Sequence, residues 1–113
     1  MDSILTSIKK LLGLAEEDES FDTDITMHIN SAIFRLKTLG VGPTEPFIVT
    51  DKTSTWSELL EGRTDLESVQ IYVYLVVRLI FDPPSTSFVI ESFKNRISEM
   101  EWMITEQAAE DLA

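Results

Sequence analysis

The sequence predicts an all-α protein: a small helical bundle of four helices plus one short helical turn, with a long loop that has room for a short β segment. Three observations lead there. Apolar residues recur at helical spacing in three separate stretches. A fourth stretch, Leu66 to Phe81, is apolar at most positions and too long for an ordinary strand. Glycine or proline closes every segment but the last, where a helix has to stop. At 113 residues the chain has the length of a single domain, 1–113, with one core.

In the first helix Ile4, Leu5, Ile8, Leu11 and Leu12 share a face, with Asp2 or Ser3 as cap. Gly13 supplies the left-handed stop and Leu14 its apolar follower. An acidic run comes next: Glu16, Glu17, Asp18, Glu19, Asp22 and Asp24. Ser20 or Asp22 can cap the second helix, which ends at Gly40 and buries Ile25, Ile29, Ala32, Leu36 and Leu39. His28 sits at the edge of that stripe, where a packing role fits better than catalysis. Met27 and Phe34 are different, because a helical wheel puts them together on the opposite face. Two large apolar residues stacked on an outer face suggest a second contact surface.

The loop from Gly40 to about Thr55 contains Phe47, Ile48 and Val49, a brief β-type run without a partner strand in the chain. Thr55-x-x-Glu58 reads as a capping box for a short helix through Leu60, with Trp56, Leu59 and Leu60 as plugs for the core. Gly62 ends that turn, and Asp65 can cap the next helix. The segment from Leu66 to Phe81 has so little wet surface that it should be the central element, covered all round. Asp82-Pro83-Pro84 stops it, since neither proline donates and Pro83 disfavours helix at Asp82. Ser85 or Ser87 restarts the last helix, whose stripe is Ile90, Phe93, Ile97, Met100, Ile104 and Ala108. Phe88 and Trp102 fall on its other side, with Met103 on the flank. From about Glu106 the tail is acidic and expected to fray.

Composition narrows the function. Nine Lys+Arg against 20 Asp+Glu leave a net charge of −11, and no basic stripe offers a path for nucleic acid. Cysteine is absent and His28 is the only histidine, so thiolate sites and multi-histidine metal centres are excluded. No apolar run reaches bilayer length and the N-terminus lacks signal-peptide features, which places the protein in a reducing cytoplasm, with no membrane partner. The candidate acidic surface, Glu16, Glu17, Asp18 and Glu19, reads first as a solvated connection. It could also meet a basic partner or line a path for a polyanion. Its acids lack the spacing and glycine of an EF-hand.

Chemical sites are missing from the pattern as well. Gly40 and Gly42 are followed by Pro43, without the lysine of a phosphate cradle. No serine sits in a nucleophile elbow, and adjacent solvated carboxylates have nothing to separate their pKa values. The expectation is no enzyme, no catalytic residue, no metal and no cofactor. Function should lie in surfaces.

Three blocks carry a likeness: Phe21–Pro43, the segment TWSELL at Thr55–Leu60, and Tyr72–Ile104. The most specific elements are Arg78-Leu79-Ile80-Phe81-Asp82-Pro83-Pro84 and the later Glu101-Trp102. In these the chain resembles the head-tail connector proteins (head-completion or adaptor proteins) of tailed bacteriophages that infect Gram-positive bacteria. The resemblance implies a structural virion protein, made in the host cytoplasm and ending at the head-tail junction. It implies a homo-oligomeric ring that binds the portal protein after DNA packaging, extends the DNA channel and docks the tail or stopper protein. DNA would then be passing cargo. No catalytic residue comes with the resemblance, so the interface must be nominated from this sequence.

A ring subunit needs two different patches, one for each neighbour. Met27 with Phe34, and Phe88 with Trp102 and Met103, are the candidates, and Phe47, Ile48 and Val49 could add to a neighbour's edge. Closing the subunit's own core through the loop stays open as the plainer role, above all for Phe47 and Trp56. A reading from another class is an acidic DNA mimic that inhibits a host nucleic-acid enzyme. Regularly spaced exposed carboxylates would mark it, whereas here the acids cluster in one loop and the tail.

Overall fold

The computed structural model describes residues 3–43, 45, 47–60 and 66–112, with Leu66 and residues 108–112 described through their backbone alone. Five helices follow in order: α1 Ile4–Leu11, α2 Asp22–Thr38, α3 Trp56–Leu60, α4 Leu66–Phe81 and α5 Ser87–Leu112. Among the described residues there is no strand, and an isolated antiparallel bridge joins Ser3 to Thr55. The all-α bundle is therefore the observed fold. Gly62 and Asp65, the expected stop and cap before α4, lie outside the described residues.

Helix ends follow from local chemistry. Thr6 N–H donates to Ser3 Oγ at 3.2 Å, so Ser3 caps α1. At its other end Leu14 N–H reaches the Lys9 carbonyl and Gly13 N–H the Lys10 carbonyl, the paired bonds of a Schellman stop, with Gly13 at φ 83°. The end of α2 repeats the device: Val41 N–H bonds the Leu36 carbonyl, Gly40 N–H that of Lys37, and Gly40 has φ 95°. Both glycines take a backbone conformation that a Cβ would strain. The Thr55–Glu58 capping box forms in both directions, Thr55 N–H to Glu58 Oε1 at 2.9 Å and Glu58 N–H to Thr55 Oγ1 at 3.2 Å.

Two expected caps are corrected. No side chain caps α2; Asp22 is its first helical residue, and its carboxylate faces Lys9 instead. Thr86, between the two serines, begins α5 by accepting from Val89 N–H at 3.3 Å. The proline stop holds: α4 ends at Phe81 and Asp82 N–H makes the final turn's bond to the Arg78 carbonyl. The helix assignment of α5 runs to Leu112.

The core forms where α2 and α5 pack against α4, with α1 closing one end across α2 and α4. Ile25, Ile29, Ala32 and Leu36 supply the α2 side and Ile97, Met100 and Ile104 the α5 side. Val69, Tyr72, Val73, Val76 and Val77 are buried on α4. That helix is central, but it is not covered all round. Its last turn emerges on one side, leaving Ile80 54% exposed. On α1, Leu11 is likewise exposed while Ile4, Leu5 and Ile8 are buried.

Polar pins hold the elements in place. Lys9 is buried; its Nζ donates to the Glu16 carbonyl at 2.9 Å and lies 2.9 Å from Asp22 Oδ1. The second contact is an ion pair without an aligned hydrogen bond, since Oδ1 is buried and accepts none. Trp56 Nε1–H donates to Ser7 Oγ at 3.1 Å and ties α3 to α1. Tyr72 Oη–H donates to Glu101 Oε2 at 2.7 Å, and Arg35 reaches the same oxygen at 2.7 Å while lying 5.9 Å over the Tyr72 ring. One carboxylate thus gathers α2, α4 and α5. Burial first, and the Glu101 hydrogen bond second, hold the Tyr72 phenol well above the ordinary tyrosine pKa.

Candidate functional site

The outer face of α2 and the loop after it form one surface. Helical periodicity turns Phe34 and Met27 away from the core stripe, leaving Phe34 70% exposed. Across from them the loop is pinned by Asn30. Its Nδ2–H donates to the Val49 carbonyl at 2.9 Å, and its Oδ1 accepts from Val49 N–H at 2.8 Å. One amide side chain therefore does the work of a neighbouring strand. The expected β segment does not form, and Val49 is corrected from candidate interface to core: it is 1% exposed and both its backbone groups are taken.

That pin presents Ile48 outward and leaves Phe47 half-buried against the core. Ile48 stands between two clefts. One, of about 460 Å³, runs from Met27 toward Lys9, Asp22 and Asp51. The other, of about 230 Å³ and mostly apolar, has Ile33, Val41 and Leu59 in its walls, with Phe34, Phe47 and Ile48 around them. So Met27, Phe34, Phe47 and Ile48, scattered over two sequence segments, come together.

The α5 candidates do not make one patch. Phe88 is 80% exposed beside the Asp82-Pro83-Pro84 corner, and Trp102 is 67% exposed on the second half of the helix. Fourteen residues of α-helix separate them by about 21 Å. Met103 is exposed next to Trp102, turned by roughly 100° around the axis. A smaller apolar cluster lies at the corner, where Phe21 meets Phe81 edge-on at 5.4 Å and Arg78 covers the Phe93 ring at 5.6 Å.

The acidic run is a structured turn. Lys9 holds the Glu16 carbonyl, and Ser20 N–H donates to Asp18 Oδ1 at 3.0 Å, keeping the Asp18 carboxyl below its usual pKa. Glu16, Glu17 and Glu19 remain exposed. Among the described residues no group of three or more His, Cys, Asp or Glu side chains could hold a metal ion. No described helix is long and apolar enough to cross a membrane.

Fold and surface together define a small helical structural subunit, with its most exposed large apolar side chains, Phe34, Ile48, Phe88 and Trp102, on α2, the loop and α5. The chain belongs to the phage connector protein family, which it matches over residues 4–111. Its role is accordingly that of a structural component in phage assembly and of the virion. No curated protein and no solved structure matches the chain.

Lys9, Asn30, Tyr72 and Glu101 escaped the sequence reading. Each looked like an ordinary polar or core residue of its helix, and each finds its partner in another part of the chain.

Proposed function

We propose that the protein is the subunit of a homo-oligomeric ring at the head-tail junction. The ring binds the portal protein after DNA packaging, prolongs the DNA channel, and offers the surface on which the tail or stopper docks. The observation that carries this reading is the pair of bare apolar surfaces in different parts of the fold, Phe34 with Ile48 on α2 and the loop after it, and Trp102 with Met103 on α5. A closed ring of identical subunits needs two unlike patches on each copy, and a solitary subunit leaves both in water. The net charge of −11 supports the channel role, because an acidic wall repels phosphate and lets the duplex slide.

The test is light scattering and negative-stain microscopy of the purified protein, alone and with portal protein. A ring, free or seated on the portal, is the expected result. A subunit that stays monomeric and never associates with portal sinks the proposal.

A further inference from the structure

We infer that the Glu101 carboxylate is a positioning group that sets the angle between the outer faces of α2 and α5, and through that angle the closure of the ring; the second half rests on the ring reading above. Both helices pack chiefly on α4. The hydrophobic force that seats them there is non-directional, whereas a hydrogen-bonded ion pair has a preferred length and angle. One carboxylate oxygen supplies that direction. Glu101 Oε2 accepts from Tyr72 Oη–H on α4 and from Arg35 Nη2–H on α2, both at 2.7 Å. The Arg35 guanidinium also lies 5.9 Å over the Tyr72 ring. Every pair among α2, α4 and α5 is therefore joined at one point, and such a triangle cannot shear without breaking a side. Tyr72 is its fixed corner, because the residue is fully buried.

The place of the cluster gives it this role. Arg35 follows Phe34 in the chain and Glu101 precedes Trp102, so the tie joins the two helical stretches that carry bare side chains. In a head-to-tail ring, the rotation from one copy to the next depends on how the two unlike patches are disposed on each subunit. That rotation must close after a full turn, and a small change in it opens the ring into a helix or alters its size. Stability is the lesser contribution of the ion pair. Both side chains are partly exposed, and a pair so open to water adds little to folding. What it adds is geometry.

The chain has no cysteine, so thiol-reactive spin labels can be introduced without background. Asp24 and Asn95 are exposed on α2 and α5, about 16 Å and 9 Å of helix away from Arg35 and Glu101. In the free subunit carrying D24C and N95C, the distance between labels should follow one narrow distribution. E101Q keeps an oxygen for the Tyr72 hydroxyl and drops the charge that holds Arg35. It should broaden the distribution about twofold while circular dichroism shows unchanged helix content. I29V trims the core on α2 and leaves the cluster alone, so it should keep the narrow width. Assembled with portal protein, subunits with Glu101 should give rings of one size, and E101Q should give open arcs or rings of mixed size by microscopy. An unchanged width in E101Q, or equal broadening in I29V, overturns the angular role whether or not rings form. Broadening in E101Q with rings of the original size overturns the link to closure. If subunits with Glu101 form no ring under any condition, the ring reading falls and closure with it, while the label widths still decide the angular role.

Discussion

The corner where α1, α3 and the loop meet and the outer face of α5 are held in different ways. At the corner, neighbouring segments are short and each is fixed by a polar bond: Trp56 to Ser7, Thr55 with Glu58, Asn30 to both sides of Val49, Lys9 to Glu16 and Asp22. Along α5 one apolar stripe and the Glu101 carboxylate hold a 26-residue helix whose far side stays bare. Short elements cannot bury enough apolar area to fix themselves, so directional bonds set their place. A long helix can be seated by its stripe alone, which leaves its outer face free to serve another molecule.

Four substitutions can break or sharpen that contrast. W56A should have the largest effect, about 3–5 kcal/mol lost in urea unfolding, because it empties a fully buried site at the corner. N30A should cost about 2 kcal/mol, since it strands the N–H and carbonyl of Val49 inside the protein. Amide exchange at Val49 should speed up more than exchange in α4. Y72F removes a hydrogen bond to a charged carboxylate and should cost about 1–2 kcal/mol at neutral pH. Because the folded state holds the Tyr72 proton more tightly than the unfolded chain, this contribution is complete below pH about 10 and is lost as pH rises further. Phenolate absorbance measured against stability across that range checks the sign. The smallest change in stability, within about 0.5 kcal/mol, belongs to W102A, whose side chain is mostly in water. Unfolding at W102A, or near-neutrality at N30A, would erase the distinction between the two regions.

Much of this architecture could be read along the chain because its signals are local. Gly13 and Gly40 mark helix stops by their own backbone freedom, and Thr55 and Glu58 announce a capping box three residues apart. The outward direction of Phe34 and Trp102 follows from periodicity alone. What periodicity could not supply was distance between elements. Lys9 carried no local signal of its role, because its partners, Glu16 and Asp22, return to it only after the chain turns. Ile48 and Phe34 could not be joined into one surface before Asn30 was known to hold the loop. The cap of α5 was missed for a different reason: Ser85, Thr86 and Ser87 are chemically alike, and only the path out of the proline corner selects Thr86.

The bond between Asn30 and Val49 also bears on how the free subunit keeps out of trouble. Phe47, Ile48 and Val49 make the kind of short, uncharged, β-prone run from which cross-β stacking starts. With the donor and acceptor of its last residue both occupied from within, the run has one rung fewer to offer, which narrows one path to aggregation for crowded free subunits.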